Sequence, residues 1–165
     1  MATVTIKPSS IQGQGVFAQR SFHKGEIILQ IDDSHIVTGE TTLTPEDWEV
    51  NADFFDGKIV LMQEPERSIN HSCNPSSYVK TIDGIRQVLA MRDIAEGEEI
   101  TFDYSINGDN DGTFPCHCGA ARCRSVYIGD YFKLPIELQL DYLPYLDEWF
   151  SQQYRDKIEA LKDHI

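Results

Sequence analysis

Basic residues are scarce in this chain: 14 Lys and Arg stand against 27 Asp and Glu, a formal net charge of −13. Phosphate recognition relies on clustered basic side chains, so direct nucleic-acid binding is not expected and a cationic partner fits better. An acidic surface also serves solubility alone, so the charge names no substrate by itself. Long apolar runs are missing too. No window approaches the ~20 apolar residues of a bilayer span, and residues 1–10 carry no apolar core of a secretory signal. No membrane association is expected, and the expected location is intracellular: cytoplasmic, or nuclear in a eukaryotic or host cell. Internal repeats and low-complexity tracts are also absent. What remains, 165 residues with 41% hydrophobic content, suits one globular domain with a real core. Nothing in the composition sets the oligomeric state.

The first third alternates short β-branched and aromatic runs with turn signals at Pro8-Ser9, Gly13-Gln14-Gly15, Lys24-Gly25 and Asp32-Asp33, which predicts short strands over residues 4–37. Residues 44–49 read as a brief helical turn, with Pro45 just inside an N-cap threonine. Strand character returns over residues 58–62 and 78–91, where Asp83-Gly84 predicts a tight hairpin turn, and again over 98–104. Residues 105–115, rich in Gly, Asn and Asp, predict a mobile loop. Beyond Pro135, Leu138, Tyr142, Tyr145, Leu146, Trp149 and Phe150 recur at helical spacing, with Pro144 as a break. Such a stripe is expected to be buried against the domain rather than to line a peptide groove.

Cysteine is rare, and its distribution is uneven. Cys116, Cys118 and Cys123 fall within eight residues, and Cys73 lies far upstream. In a reducing compartment, disulfides are disfavoured and metal binding gains weight. Four thiolates satisfy one tetrahedral Zn²⁺, and Gly119 supplies a tight turn between ligands. The single residue between Cys116 and Cys118 is closer than the usual zinc-knuckle spacing, so buried free thiols, two disulfides, or His117 in place of one cysteine remain open from spacing alone.

Four signatures occur in order: Gly13-Gln14-Gly15; Arg67-Ser68-Ile69-Asn70-His71-Ser72-Cys73-Asn74-Pro75; Phe102-Asp103-Tyr104 at the end of a strand; and the C-x-C-x-x-x-x-C run of Cys116, Cys118 and Cys123. Together they resemble the SET-domain protein-lysine methyltransferases, in the form of a small stand-alone member with a post-SET zinc motif. The resemblance implies a mainly β (β+α) SET-domain fold. Small twisted sheets surround a knot-like crossing of the Asn70-His71 and Phe102-Asp103-Tyr104 segments, followed by a post-SET zinc cluster and a C-terminal helical extension. The boundaries expected are 4–106 for the SET domain, 107–126 for the post-SET zinc-binding segment and 127–165 for the extension.

By the same resemblance, Gly13, Gln14, Gly15, Arg67, Asn70 and His71 hold S-adenosylmethionine together with Tyr104, the central active-site tyrosine. Phe102 and Tyr104 line the lysine channel, and Cys73 joins Cys116, Cys118 and Cys123 on one Zn²⁺. The implied activity is S-adenosylmethionine-dependent lysine N-methylation of a basic protein or peptide, histone or histone-like proteins among them. Phe102 leaves more room than a tyrosine hydroxyl would, which implies a product beyond monomethyl-lysine. Two departures stand out: Ser76 replaces the family's asparagine after the proline, and the tyrosine often found upstream has no clear match, Trp48 or Phe54 being nearest. The alternatives are a catalytically silent SET module that binds a basic protein tail, and a small zinc-binding interaction domain whose resemblance is incidental. The intact Tyr104 and Asn70-His71 pair argue against the first.

Overall fold

The structure, a computed structural model, describes residues 2–47, 52–55 and 57–162. Strand β1 (Val4–Pro8) turns back as β2 (Gln14–Ala18), an antiparallel pair in register from Val4 opposite Ala18 to Pro8 opposite Gln14. The reversal is closed by Ser9 N donating to Gly13 O at 2.9 Å, with Gly13 in the left-handed region at φ 49°. Next come β3 (Ile27–Gln30) and the hairpin of β4 (Ala52–Phe55) with β5 (Lys58–Leu61). The two-residue β6 (Asn70–His71) is followed by β7 (Ser77–Ile82), β8 (Ile85–Ala90) and β9 (Glu99–Phe102). The chain continues through β10 (Asp109–Pro115) and β11 (Val126–Asp130) into helices α1 (Ile136–Tyr142), α2 (Glu148–Gln153) and α3 (Arg155–Lys162).

Among the described residues the strands form four small sheets, ordered β1-β2-β9-β6, β3-β8-β7, β4-β5 and β10-β11. One relation governs the site: β6 pairs with β9 in parallel, Asn70 opposite Thr101 and His71 opposite Phe102. A parallel pair needs a long crossover. Here the β7–β8 hairpin supplies it, turning through Asp83 at φ 52° and Gly84 at φ 78°, the two left-handed residues of the tight turn read from the sequence. Past β6 the contact continues, with Ser72 N donating to Phe102 O and Ser76 N to Thr101 O. The 70–76 segment thus lies along β9 up to the Asp103-Tyr104 turn. No helix among the described residues is long and apolar enough to cross a membrane.

Apolar alternation explains the main core. Val16 of β2 faces Ile100 of β9, and both are fully buried with Phe22, Ile28, Ile69, Val88 and Ile94. Each such side chain contributes about 1.5–3 kcal/mol relative to exposure. The C-terminal stripe builds a second core: Tyr142, Leu146 and Phe150 are buried with Tyr131, Ile158 and Leu161, while Leu138 and Tyr145 pack on the cluster. Trp149 departs from that pattern, 41% exposed with its ring edge-on to Phe150. Pro144 lies in a short 3-10 turn over Leu143–Tyr145 that separates α1 from α2.

Two local expectations are corrected. Residues 109–115 are not a free loop but strand β10, paired with β11 from Asp109 opposite Asp130 to Pro115 opposite Val126. Every residue of β10 is exposed, so no apolar alternation marked it, and a bulge between Asp109 and Thr113 absorbs the Gly and Asn that read as loop. The strand expected over 98–104 ends at Phe102, because Ile106 N turns back to Asp103 O. In the 44–49 segment Thr44 caps a turn, its Oγ1 accepting from Asp47 N at 3.1 Å, and Trp48 and Glu49 lie outside the described residues.

Candidate active site and metal clasp

The β6/β9 pairing brings three of the sequence signatures together. The Asn70 side-chain amide donates to Gln12 O at 3.1 Å, to Gln14 O at 2.9 Å and to Glu99 Oε1 at 2.9 Å. Asn70 therefore fastens the turn containing Gly13, Gln14 and Gly15 to β9. Glu99 is the second anchor: Ser9 Oγ donates to its carboxylate at 2.8 and 2.9 Å. Gly15 is needed for closeness, since a Cβ there would stand 2.3 Å from Glu99 Oε1. The turn bearing Arg67 runs beside β2, but the Arg67 guanidinium is committed to Glu64, Nε to Oε1 at 2.8 Å, on the exposed side.

Tyr104 is fixed at both ends. Its backbone N donates to His71 Nδ1 at 3.2 Å, and its hydroxyl donates to Ile69 O at 2.7 Å. Burial, with the Tyr127 phenol nearby, pushes Tyr104 up to about 12, so it stays a neutral phenol. Because His71 Nδ1 accepts a hydrogen bond, its ring proton sits on Nε2, 3.5 Å from Cys73 Sγ. Burial holds His71 below the ordinary imidazole value despite nearby Asp103, so their 3.6 Å approach is a contact of a neutral ring. Around the phenol the Phe102 ring lies 4.6 Å from that of Tyr104, Tyr127 at 6.1 Å and His71 at 5.2 Å. Phe114 stacks on Tyr127 at 4.4 Å and extends this aromatic wall.

The four cysteines converge. Their sulfurs all lie within 4.8 Å of one another, and those of Cys73 and Cys123 are each 3.7 Å from that of Cys116. Tetrahedral Zn²⁺ with Zn–S near 2.3 Å requires S···S separations of about 3.8 Å, whereas a disulfide requires about 2.05 Å. All four thiols are free, and exposed His117 is not in the cluster, so disulfides and a histidine ligand are set aside and a cluster of four sulfurs that could hold a metal ion remains beside four free thiols. Backbone N–H groups point at the sulfurs as they would at thiolates: Cys73 N at Cys118, Arg124 N at Cys73 and Ser125 N at Cys123, each at 3.4 Å. Burial, helped by the neighbouring cysteines, pushes the Cys73 and Cys116 thiols up, while Cys118, against its own burial, is brought down to about 6 by the backbone N–H groups of Cys73 and Ala120. A bound cation would hold all four as thiolates.

Several residues of the site carried no separate signal in the sequence. Asp103, inside the Phe102-Asp103-Tyr104 run, is completely buried and receives the Arg124 guanidinium at 2.5 and 3.0 Å. The position of Arg124 directly after Cys123 could have singled it out. Phe114 and Tyr127 come from the β10/β11 pair, which the loop reading hid. Ser76, where the family pattern has asparagine, is fully buried and accepts from Thr101 N at 3.0 Å, tying the strand after β6 to β9. Trp48 and the side chain of Phe54 lie outside the described residues.

Comparison with known proteins agrees with this geometry. Human histone-lysine N-methyltransferase 2B is 32% identical over 142 residues, which cover 73% of this chain and 5% of that protein. The H3 lysine-36 specific histone-lysine N-methyltransferase of Candida albicans is 44% identical over 61 residues, 34% of this chain and 7% of that protein. The chain thus spans only a small part of the length of these relatives. A crystal structure of a Plasmodium falciparum protein assigned as a histone methyltransferase superposes with a TM-score of 0.52 at 24% identity, covering 62% of this chain and 92% of that one, which shows a shared fold. The SET domain profile matches residues 13–105, the stretch that holds the glycine turn, β6 and the Tyr104 turn, and the chain belongs to the SET domain family.

Proposed function

We propose that this protein is an S-adenosylmethionine-dependent protein-lysine N-methyltransferase acting on a basic protein substrate such as a histone or histone-like protein. The observation that carries the reading is Tyr104: a neutral phenol, its proton committed to Ile69 O at 2.7 Å, lies beside Phe102 and next to the β6 segment that fastens the glycine turn. The relatives named as histone-lysine methyltransferases support the same class.

S-adenosylmethionine would supply an electrophilic methyl group. Gly13, Gln14, Gly15, Asn70 and His71 are the residues assigned to hold it, and Glu99 and Ser9 keep that turn and Asn70 in place. Arg67 belongs to this set only by resemblance, its guanidinium being turned to Glu64. The amine of the incoming lysine must be neutral, which costs about 5 kcal/mol at pH 7 for a pKa near 10.4. The Phe102, Tyr104 and Tyr127 rings carry no counter-charge, and a lysine inserted beside them would lose hydrating water, which disfavours the ammonium by desolvation. With its hydrogen donated to Ile69 O, the Tyr104 hydroxyl turns lone pairs toward the channel, where they can accept from the amine and orient it. No general base is needed beyond solvent. Cys73, Cys116, Cys118 and Cys123 would hold one structural Zn²⁺ that clasps the end of β6 to the β10/β11 unit.

A labelled-methyl screen over basic proteins and lysine peptides, read by mass spectrometry at the modified residue, tests the reading. Transfer to lysine, extending beyond one methyl group under excess S-adenosylmethionine, is the expected result. Tight binding of a basic peptide without transfer would identify a silent binding module instead.

A further inference from the structure

No motif links the chain beyond residue 126 to the active site, yet the turn that carries Tyr104 is gripped from that side. Asp103, immediately before Tyr104, receives Arg124 on both oxygens and Ser105 N on Oδ1 at 3.1 Å. The hydroxyl of Tyr142, at the end of α1 and 2% exposed, donates to Asp103 Oδ2 at 2.9 Å. Four residues along, Asn107 sits in the left-handed region at φ 64°, and its Oδ1 accepts from Asp147 N at 2.7 Å. Buried Asp147 in turn accepts from Thr81 N at 2.9 Å and Thr81 Oγ1 at 2.7 Å, which pins the C-terminal segment to β7. Besides its own bonds to His71 and Ile69, Tyr104 is therefore flanked in sequence by two contacts made by the C-terminal segment.

Arg124 already balances the charge of Asp103, so the Tyr142 hydroxyl is not required for neutrality. Its contribution is directional: from the side of α1 it adds to Arg124 a second hold on Oδ2, and with it on the backbone from which Tyr104 projects. Displacement of a reacting group by about 1 Å costs on the order of 100-fold in rate. We infer that Tyr142 is a positioning residue for Tyr104, acting through Asp103, and that the C-terminal extension is part of the catalytic apparatus rather than an appended support. This rests on the methyl-transfer reading above.

The test is steady-state kinetics of the full zinc-loaded chain on a peptide from the screen, comparing wild type with Tyr142→Phe and Asn107→Gly. The first change removes only a hydroxyl. The second removes the acceptor for Asp147 N at a backbone conformation glycine adopts freely. Each is expected to lower kcat about tenfold, with the S-adenosylmethionine Kd by calorimetry and the zinc content unchanged. Should Tyr142→Phe fail to retain zinc and cofactor binding, the hydroxyl is a structural support and the Tyr142 assignment is overturned, while Asn107→Gly still tests the second contact of the C-terminal segment, since it leaves the Asp103 contacts intact. Unchanged kcat in a folded variant, or a loss confined to cofactor affinity, overturns the inference. A wild type inactive on every lysine substrate removes the methyl-transfer reading and this inference with it, whereas an active wild type with unaffected variants removes the inference alone.

Discussion

Arg124 lays its guanidinium across both carboxylate oxygens of Asp103, at 2.5 and 3.0 Å. One residue before Arg124 is the metal ligand candidate Cys123, and one residue after Asp103 is Tyr104. The ion pair therefore couples the cysteine cluster to the turn that carries Tyr104. Asp103 is fully buried and held below the usual carboxylate range: burial opposes ionisation, and the Arg124 guanidinium outweighs it. Replacing Arg124 with methionine would leave that carboxylate without its charge partner. The expected loss is about 3–5 kcal/mol, read as a lowered urea midpoint at pH 7.

Metal removal should act at the same junction. Exhaustive chelation, or Cys73→Ser, is expected to reduce zinc from one equivalent to none by elemental analysis and to lower the thermal midpoint. Burial raises the Cys73 and Cys116 thiols, so without metal these two revert to neutral thiols that no longer draw β6 to the β10/β11 unit.

Gly15→Ala examines the glycine turn. The added Cβ would meet Glu99 Oε1 at 2.3 Å, and Glu99 has little freedom to retreat because Ser9 and Asn70 both hold its carboxylate. Overpacking of this kind costs about 1–3 kcal/mol. Calorimetry should show S-adenosylmethionine affinity weakened by about tenfold or more while circular dichroism retains the wild-type spectrum.

The pH profile follows from two ionisations of opposite consequence. The substrate amine must lose its proton, so kcat/KM should rise from pH 7 towards 10. Tyr104 is pushed up to about 12, mainly by burial, so its phenol stays protonated throughout that range and keeps its bond to Ile69 O. A descending limb below about pH 10 that disappears in Tyr104→Phe would contradict this.

What the sequence disclosed and what it withheld have physical reasons. The tight turn at Asp83 and Gly84, the apolar alternation of β2 and β9, and the stripe of Tyr142, Leu146 and Phe150 depend on local chemistry, and each was readable. Convergence of Cys73 with a cluster more than forty residues away is a tertiary fact that spacing left open and the family resemblance closed. Strand β10 was missed because all its residues are exposed and its bulge carries loop-like Asn and Gly, and with it went Phe114 and Tyr127. Asp103 was passed over for a different reason: its importance lies in partners at Arg124 and Tyr142, which only the fold brings to it.

The most direct test of the account is methyl transfer by wild type and Tyr104→Phe, side by side, with zinc content and S-adenosylmethionine binding matched. The substitution removes one hydroxyl from a ring otherwise packed by Phe102 and His71. Transfer to lysine by the wild type, reduced about 100-fold or more in kcat in the variant, is the expected result. Equal rates in the two proteins, or no transfer by the zinc-loaded wild type to any lysine substrate, would contradict it.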